Sequence, residues 1–198
     1  LLNQVMPGGF AHYKQSVRVV ERLEKGGEGL NLTWEVRNGI LCHTKGAPAA
    51  TLEGQLIRLA DHIAYINHDI EDAIRGGILR EGDLPWETKV GLGQTKSQRI
   101  TTLVTSIIEN SGDDIKMDDE TFRLYKTLQD FLFEAVYKDP VAKGEEGKAK
   151  KIIGQLYTWF VEHPEKLPLE YESIREEEGI ERAEVDYIAG MSDPNCSP

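Results

Sequence analysis

Cysteine is nearly absent. Only Cys42 and Cys196 occur among 198 residues, far apart and outside any CxxC spacing, which excludes a disulfide framework and a cysteine zinc site. A reducing compartment, the cytoplasm, is the expectation. Long apolar runs are missing too: no stretch approaches the roughly 20 residues a bilayer-spanning helix requires, so no membrane partner is expected. The first residues, Leu1-Leu2-Asn3-Gln4, carry neither a basic leader nor a start methionine, and part of a longer protein is expected. No GxxxxGK[ST] loop, GxGxxG turn, GxSxG elbow or HExxH pair occurs, so the commonest phosphate, nucleophile and zinc signatures are excluded. Positive charge is scarce: 23 Lys+Arg stand against 34 Asp+Glu, a net charge of -11, which argues against strong general binding to nucleic acid. The whole excess lies in residues 81–198, with 14 basic and 25 acidic residues, because residues 1–80 hold 9 of each.

What is present is helical periodicity. From Thr51, Leu52, Leu56, Leu59, Ile63, Ile66, Ile70 and Ile74 recur every three or four residues until Gly76-Gly77, the pattern of one long amphipathic helix with an N-cap and a glycine stop. Similar spacing predicts helices near 11–25, 33–43, 97–111, from Asp118 through Val136, over 145–163 and from Glu181 onward. No period-two strand pattern appears, so the fold class is all-α. Glu81 to Thr95, with Pro85, Gly91 and Gly93, reads as the longest loop. Glu176-Glu177-Glu178 reads as a solvated acidic face.

Chemistry concentrates between Leu59 and Asp69. Asp61, Tyr65 and Asp69 are four apart and line one polar stripe of a helix, two carboxylates flanking a phenol. A stripe that merely solvates the helix accounts for the same spacing. His68-Asp69 suggests a metal pair, but adjacent helical residues project about 100° apart and cannot chelate one ion without other elements. His12 and Gln15, three apart, would bring an imidazole and an amide to one ligand; a histidine simply satisfied at a helix start remains the alternative. His43 after Cys42 fits a helix-end cap as well as a ligand.

Four segments carry a family resemblance: Gly9-Phe10-Ala11-His12-Tyr13-Lys14-Gln15-Ser16 through Val20; Leu30-Asn31-Leu32-Thr33-Trp34-Glu35-Val36 through His43; Leu59-Ala60-Asp61-His62-Ile63-Ala64-Tyr65 through Ala73; and Asp186-Tyr187-Ile188-Ala189-Gly190-Met191-Ser192-Asp193. In order and spacing they resemble the deoxyguanosine triphosphate triphosphohydrolases of the HD superfamily. The resemblance implies an all-α HD-type helical bundle, with residues 1–80 as the C-terminal part of the HD core and 81–198 as a helical extension. It implies hydrolysis of a deoxynucleoside triphosphate to deoxynucleoside and inorganic triphosphate, a divalent metal such as Mg²⁺ or Mn²⁺, and a homo-oligomer. By resemblance Asp61 is a metal ligand, and His68-Asp69 is not the family's defining His-Asp pair. Tyr65 and Asp69 would face the deoxyribose and phosphates, His12 would be catalytic, and Gln15 would lie near the triphosphate. Lys89 and Arg99 are candidate phosphate contacts because a tetra-anionic substrate needs cations. The family's other metal ligands match nothing in this chain and are expected ahead of Leu1, so activity is expected of the full-length protein and not of this chain alone. A nucleotide-binding regulatory subunit and another HD-type phosphohydrolase are the alternatives.

Overall fold

The computed structural model describes residues 2–6, 8–44 and 46–191; Leu1, Ser192, Asp193 and Cys196, named above, lie outside the described residues. Among those described there is no strand, and the all-α expectation holds. The helices are α1 (Leu2–Val5), α2 (His12–Arg18), α3 (Trp34–Leu41), α4 (Leu52–Arg75), α5 (Trp86–Gly91), α6 (Lys96–Asn110), α7 (Asp119–Leu132), α8 (Pro140–Glu162), α9 (Glu172–Glu178) and α10 (Ile180–Gly190). Single π-helical turns continue α2 over Val19–Leu23 and α7 over Phe133–Tyr137. No helix among the described residues is long and apolar enough to cross a membrane.

Packing groups the chain into two units: Trp34–Glu145 forms one, and the residues up to Thr33 together with those from Glu146 onward form the other. This grouping does not follow a division at residue 80, because α4 shares its core with helices that lie beyond that point. Ile63, Ile66, Ile70 and Ala73 of α4 meet Leu103 and Ile107 of α6 and Leu124, Leu128 and Leu132 of α7, with Leu79, Leu84 and Leu92 closing the cluster. Each large aliphatic side chain removed from water here contributes about 1.5–3 kcal/mol. α4 starts where expected because the Thr51 hydroxyl accepts from the Gly54 N–H at 3.2 Å. That glycine also lets α3 pack closely on α4: a Cβ on Gly54 would lie 2.6 Å from the Ala49 Cβ and 3.2 Å from the Gly39 Cα.

The stretch from Glu81 to Thr95 is not the irregular loop that its glycines and proline suggest. It holds a 3-10 turn at Glu81–Asp83 and α5. Pro85 precedes α5 with φ -52° and ψ 131° and no side chain caps the helix, while the Thr88 hydroxyl donates back to the Pro85 carbonyl at 2.8 Å. α8 likewise begins earlier than expected, at Pro140. Asp139 Oδ1 accepts from the Val141 and Ala142 N–H groups at 2.8 and 3.2 Å, and proline suits the first turn, where no N–H is needed.

The unit containing α2, α9 and α10 has a smaller apolar core of Phe160, Ile174, Ala183, Val185 and Ile188. Tyr187 bridges it, with its ring centroid 5.2 Å from Phe160 and 5.3 Å from Tyr171. The acidic run is exposed, as expected, and two of its members form surface ion pairs: Arg22 pairs with Glu177, and Arg18 Nη2 lies 2.8 Å from Glu178 Oε1. Glu184 of α10 is buried, and neither of its carboxylate oxygens has a hydrogen-bond partner among the described residues. Burial, helped by the charge of Glu181, pushes its carboxyl from an ordinary 4.5 up to about 7. The folded state therefore holds this proton more tightly than the unfolded chain, so the group's contribution to stability falls as pH rises from about 4.5 to about 7 and is level above that. Glu184→Gln removes the slope. The melting temperature of this variant, relative to wild type, should rise between pH 5 and pH 8; a difference that stays constant across that range contradicts the assignment.

Candidate functional site

In α4 the buried stripe of Ile63, Ile66, Asn67, Ile70 and Ala73 faces the core, and this fixes what the opposite side presents. Asp61 is exposed and makes no hydrogen bond or ion pair with any described residue. One turn on, Tyr65 is 63% exposed. One turn further, Asp69 is half-buried and accepts a hydrogen bond from the Tyr137 hydroxyl. The helix rise puts successive members of this row about 6 Å apart along the axis.

Electrostatics link the row. Tyr65 is pushed up, first by the Asp69 charge, then by burial and Asp61, so its hydroxyl stays protonated and able to donate. Burial raises Asp69, with Asp72 adding to the effect, while the hydrogen bond from Tyr137 pulls it back. Tyr137 is itself raised by burial and by Asp69. The row thus offers a carboxylate free to take a cation, a phenol, and a second carboxylate already oriented by a hydrogen bond. Carboxylate oxygens suit hard cations, and a phenol or carboxylate suits sugar hydroxyls. Among the described residues no group of three His, Cys, Asp or Glu side chains is placed to hold a metal ion. Asp61 is one donor, and an ion there would need donors beyond the described residues. His68 does not combine with Asp69 as a chelating pair: its Nδ1 lies 4.0 Å from Glu71 Oε2. Burial and the charge of Arg58 lower the neighbouring His62.

The two expected phosphate-contacting cations have internal partners. Arg99 is 3% exposed, and its Nε donates to Asn67 Oδ1 at 3.1 Å, while Asn67 Nδ2 donates to the Ile63 carbonyl at 2.8 Å. Burial lowers the Arg99 guanidinium. Lys89 Nζ donates to the Gly82 carbonyl at 2.8 Å. It borders a cavity of about 520 Å³ shared with Glu81, Trp86 and Gln94.

His12 and Gln15 belong to the other unit and do not share one face towards a ligand. His12 is exposed at the first position of α2, whereas Gln15 is buried. Gln15 Nε2 donates to Asp186 Oδ1 at 2.7 Å, and its Oε1 accepts from Arg182. Arg18 Nε donates to Asp186 Oδ2 at 2.8 Å, and Arg182 donates to the same carboxylate. Sequence reasoning missed Asp186 as the hub of this cluster. The available signal was an acid set among Ala183, Val185 and Ile188, where an unpaired charge is costly.

Comparison with known proteins bears on this arrangement. The Phosphohydrolase-associated domain family matches residues 115–197. A deoxyguanosinetriphosphate triphosphohydrolase-like protein of Caldanaerobacter subterraneus subsp. tengcongensis is 48% identical over 195 residues, 98% of this chain and 58% of that protein. The chain is a homologue of the dGTP triphosphohydrolase-like proteins. Others with that name, from Clostridium tetani and Clostridium perfringens, are 41% and 43% identical over 99% and 100% of this chain, covering 60% and 61% of theirs. The chain thus spans about three fifths of the length of these relatives.

The hydrogen bond on Asp69 gives a test of the row. Tyr137→Phe removes the interaction that holds the carboxyl down while leaving the burial that holds it up, so the Asp69 pKa should rise further. Carboxyl-carbon NMR titration reads this directly; an unchanged or lowered Asp69 midpoint contradicts the pairing.

Proposed function

We propose that the protein hydrolyses a deoxynucleoside triphosphate, dGTP or another, to the deoxynucleoside and inorganic triphosphate. The observation that carries the reading is Asp61: an exposed carboxylate with no partner among the described residues, in line with Tyr65 and Asp69 on a polar face of α4. The names of its relatives support the same reaction class.

In this reading the sugar lies along Tyr65 and Asp69. The Tyr65 ring fills the space a 2′-hydroxyl would need, which favours a 2′-deoxy substrate, and the Asp69 carboxylate accepts from a sugar hydroxyl. Asp61 serves as one donor to a divalent cation, Mg²⁺ or Mn²⁺, a cation that neutralises phosphate charge when bound. The described residues do not complete its coordination, so no chemical step is assigned to it. His12 is the candidate proton carrier, since an imidazole moves protons near neutral pH. Gln15 acts behind His12 rather than on substrate, and Arg99 supports the core beneath α4. Assembly as a homo-oligomer is part of the proposal.

Assayed with dGTP and Mn²⁺, the full-length protein should release triphosphate, and Asp61→Ala within it should lower the rate by about 100-fold or more. Release of pyrophosphate or monophosphate alone would replace this reading with another phosphohydrolase activity. Thermal stabilisation by dGTP without any product would replace it with a regulatory nucleotide-binding role. Tyr65→Ala should narrow the preference for dGTP over GTP; an undiminished preference removes the role given to its ring.

A further inference from the structure

α2 cannot hold its own position. Its α-helical part has seven residues, continued by the five-residue π turn Val19–Leu23, and Ala11 provides no side-chain cap; isolated helices no longer than about 12–15 residues are marginal in water. Its place must come from what it docks against, and the polar contacts converge on one group. Asp186 of α10 is buried to 1% exposure. It receives Gln15 Nε2 at 2.7 Å, Arg18 Nε at 2.8 Å and Arg18 Nη2 at 2.7 Å. Gln15 and Arg18 are one turn apart, so a single carboxylate grips α2 at two points and fixes both its rotation and its height. Arg182 completes the clamp from α10 by donating to Asp186 and to Gln15 Oε1, which sets the orientation of the Gln15 amide. Arg18 is also tied to Glu178 at 2.8 Å. At the N-terminal end of this clamped helix, one turn before Gln15, stands His12.

We propose that Asp186 is a positioning residue for His12: by clamping Gln15 and Arg18 it sets the register of α2 and so aims the imidazole. The functional consequence rests on the catalytic role proposed for His12, but the positional claim does not. The charged acceptor is required because two guanidiniums converge on it. An amide in its place keeps the volume, loses the charge-assisted bonds and leaves Arg18 and Arg182 facing each other.

The test compares wild type, Asp186→Asn and the milder Arg18→Lys, which keeps the positive charge but loses the guanidinium's fixed donor geometry. Ring-nitrogen NMR resolves the five histidines without any turnover. In both variants the His12 signals should shift and broaden, while those of His43, His62 and His68 stay in place. His12 signals that remain unchanged in a folded variant overturn the proposal. If Asp186→Asn moves all five histidines together, it has unfolded, and Arg18→Lys decides alone. In the hydrolysis assay Asp186→Asn should lower kcat roughly 10- to 100-fold with KM within about twofold. In a His12→Ala background it should cost nothing further, since both changes remove the same group from its place. Multiplicative losses mark a purely structural role and overturn the positioning claim. Full activity in His12→Ala itself would instead sink the catalytic reading of His12, leaving the NMR result to judge the clamp.

Discussion

The constraint on which the rest depends is the rotation of α4 about its own axis. Ile63, Ile66, Ile70 and Ala73 enter the core with α6 and α7, and a turn of the helix by one residue would carry about 100° of that stripe into water. Asn67 tightens the constraint because it lies in the same buried stripe and is bonded to Arg99. A buried guanidinium whose Asn67 acceptor moved away would keep only the longer, 3.5 Å bond from its Nη1 to the Gln94 carbonyl, so the polar pair adds a penalty for a slipped register to that of the aliphatic side chains. With that side fixed, Asp61, Tyr65 and Asp69 have one place to be. The candidate site is what the core leaves facing outward.

The two units solve the packing problem differently. Trp34–Glu145 relies on a contiguous aliphatic cluster, whereas the unit of α2, α9 and α10 sets a small apolar core beside a dense ionic cluster around Asp186. The second solution is costlier in desolvation but more directional, because guanidinium–carboxylate geometry specifies angle as well as contact. Glu184, two residues from Asp186 on the same helix, shows the opposite treatment: buried without a partner among the described residues, it is pushed towards the neutral form. Two acids in one helix are separated in behaviour by their neighbours alone.

Much of this was legible in the sequence wherever the information is local. The start of α4 at Thr51 and its end at Gly76 follow from cap chemistry and 3.6-residue spacing, and the alignment of Asp61 with Tyr65 and Asp69 follows from the same periodicity. α5 was hidden because no side chain caps it and its anchors, Leu84 and Leu92, flank rather than punctuate it. The fates of Gln15, Arg18, Arg99 and Glu177 depend on partners 32 to 171 residues away, and no spacing rule reaches that far. Glycine-rich composition near Gly91 misled for the same reason: the deciding contact, Leu124 against Gly91, is tertiary.

The central claim is that α4 divides its circumference, one side for the fold and the other for a ligand. Urea unfolding of Asp61→Ala beside Ile70→Ala tests this most directly. Ile70 is buried to 1% exposure, and its truncation should cost about 2–5 kcal/mol. Removal of the Asp61 carboxylate, which has no partner among the described residues, should leave stability within about 0.5 kcal/mol of wild type. A loss on Asp61→Ala as large as that on Ile70→Ala would make Asp61 a structural residue and contradict the division.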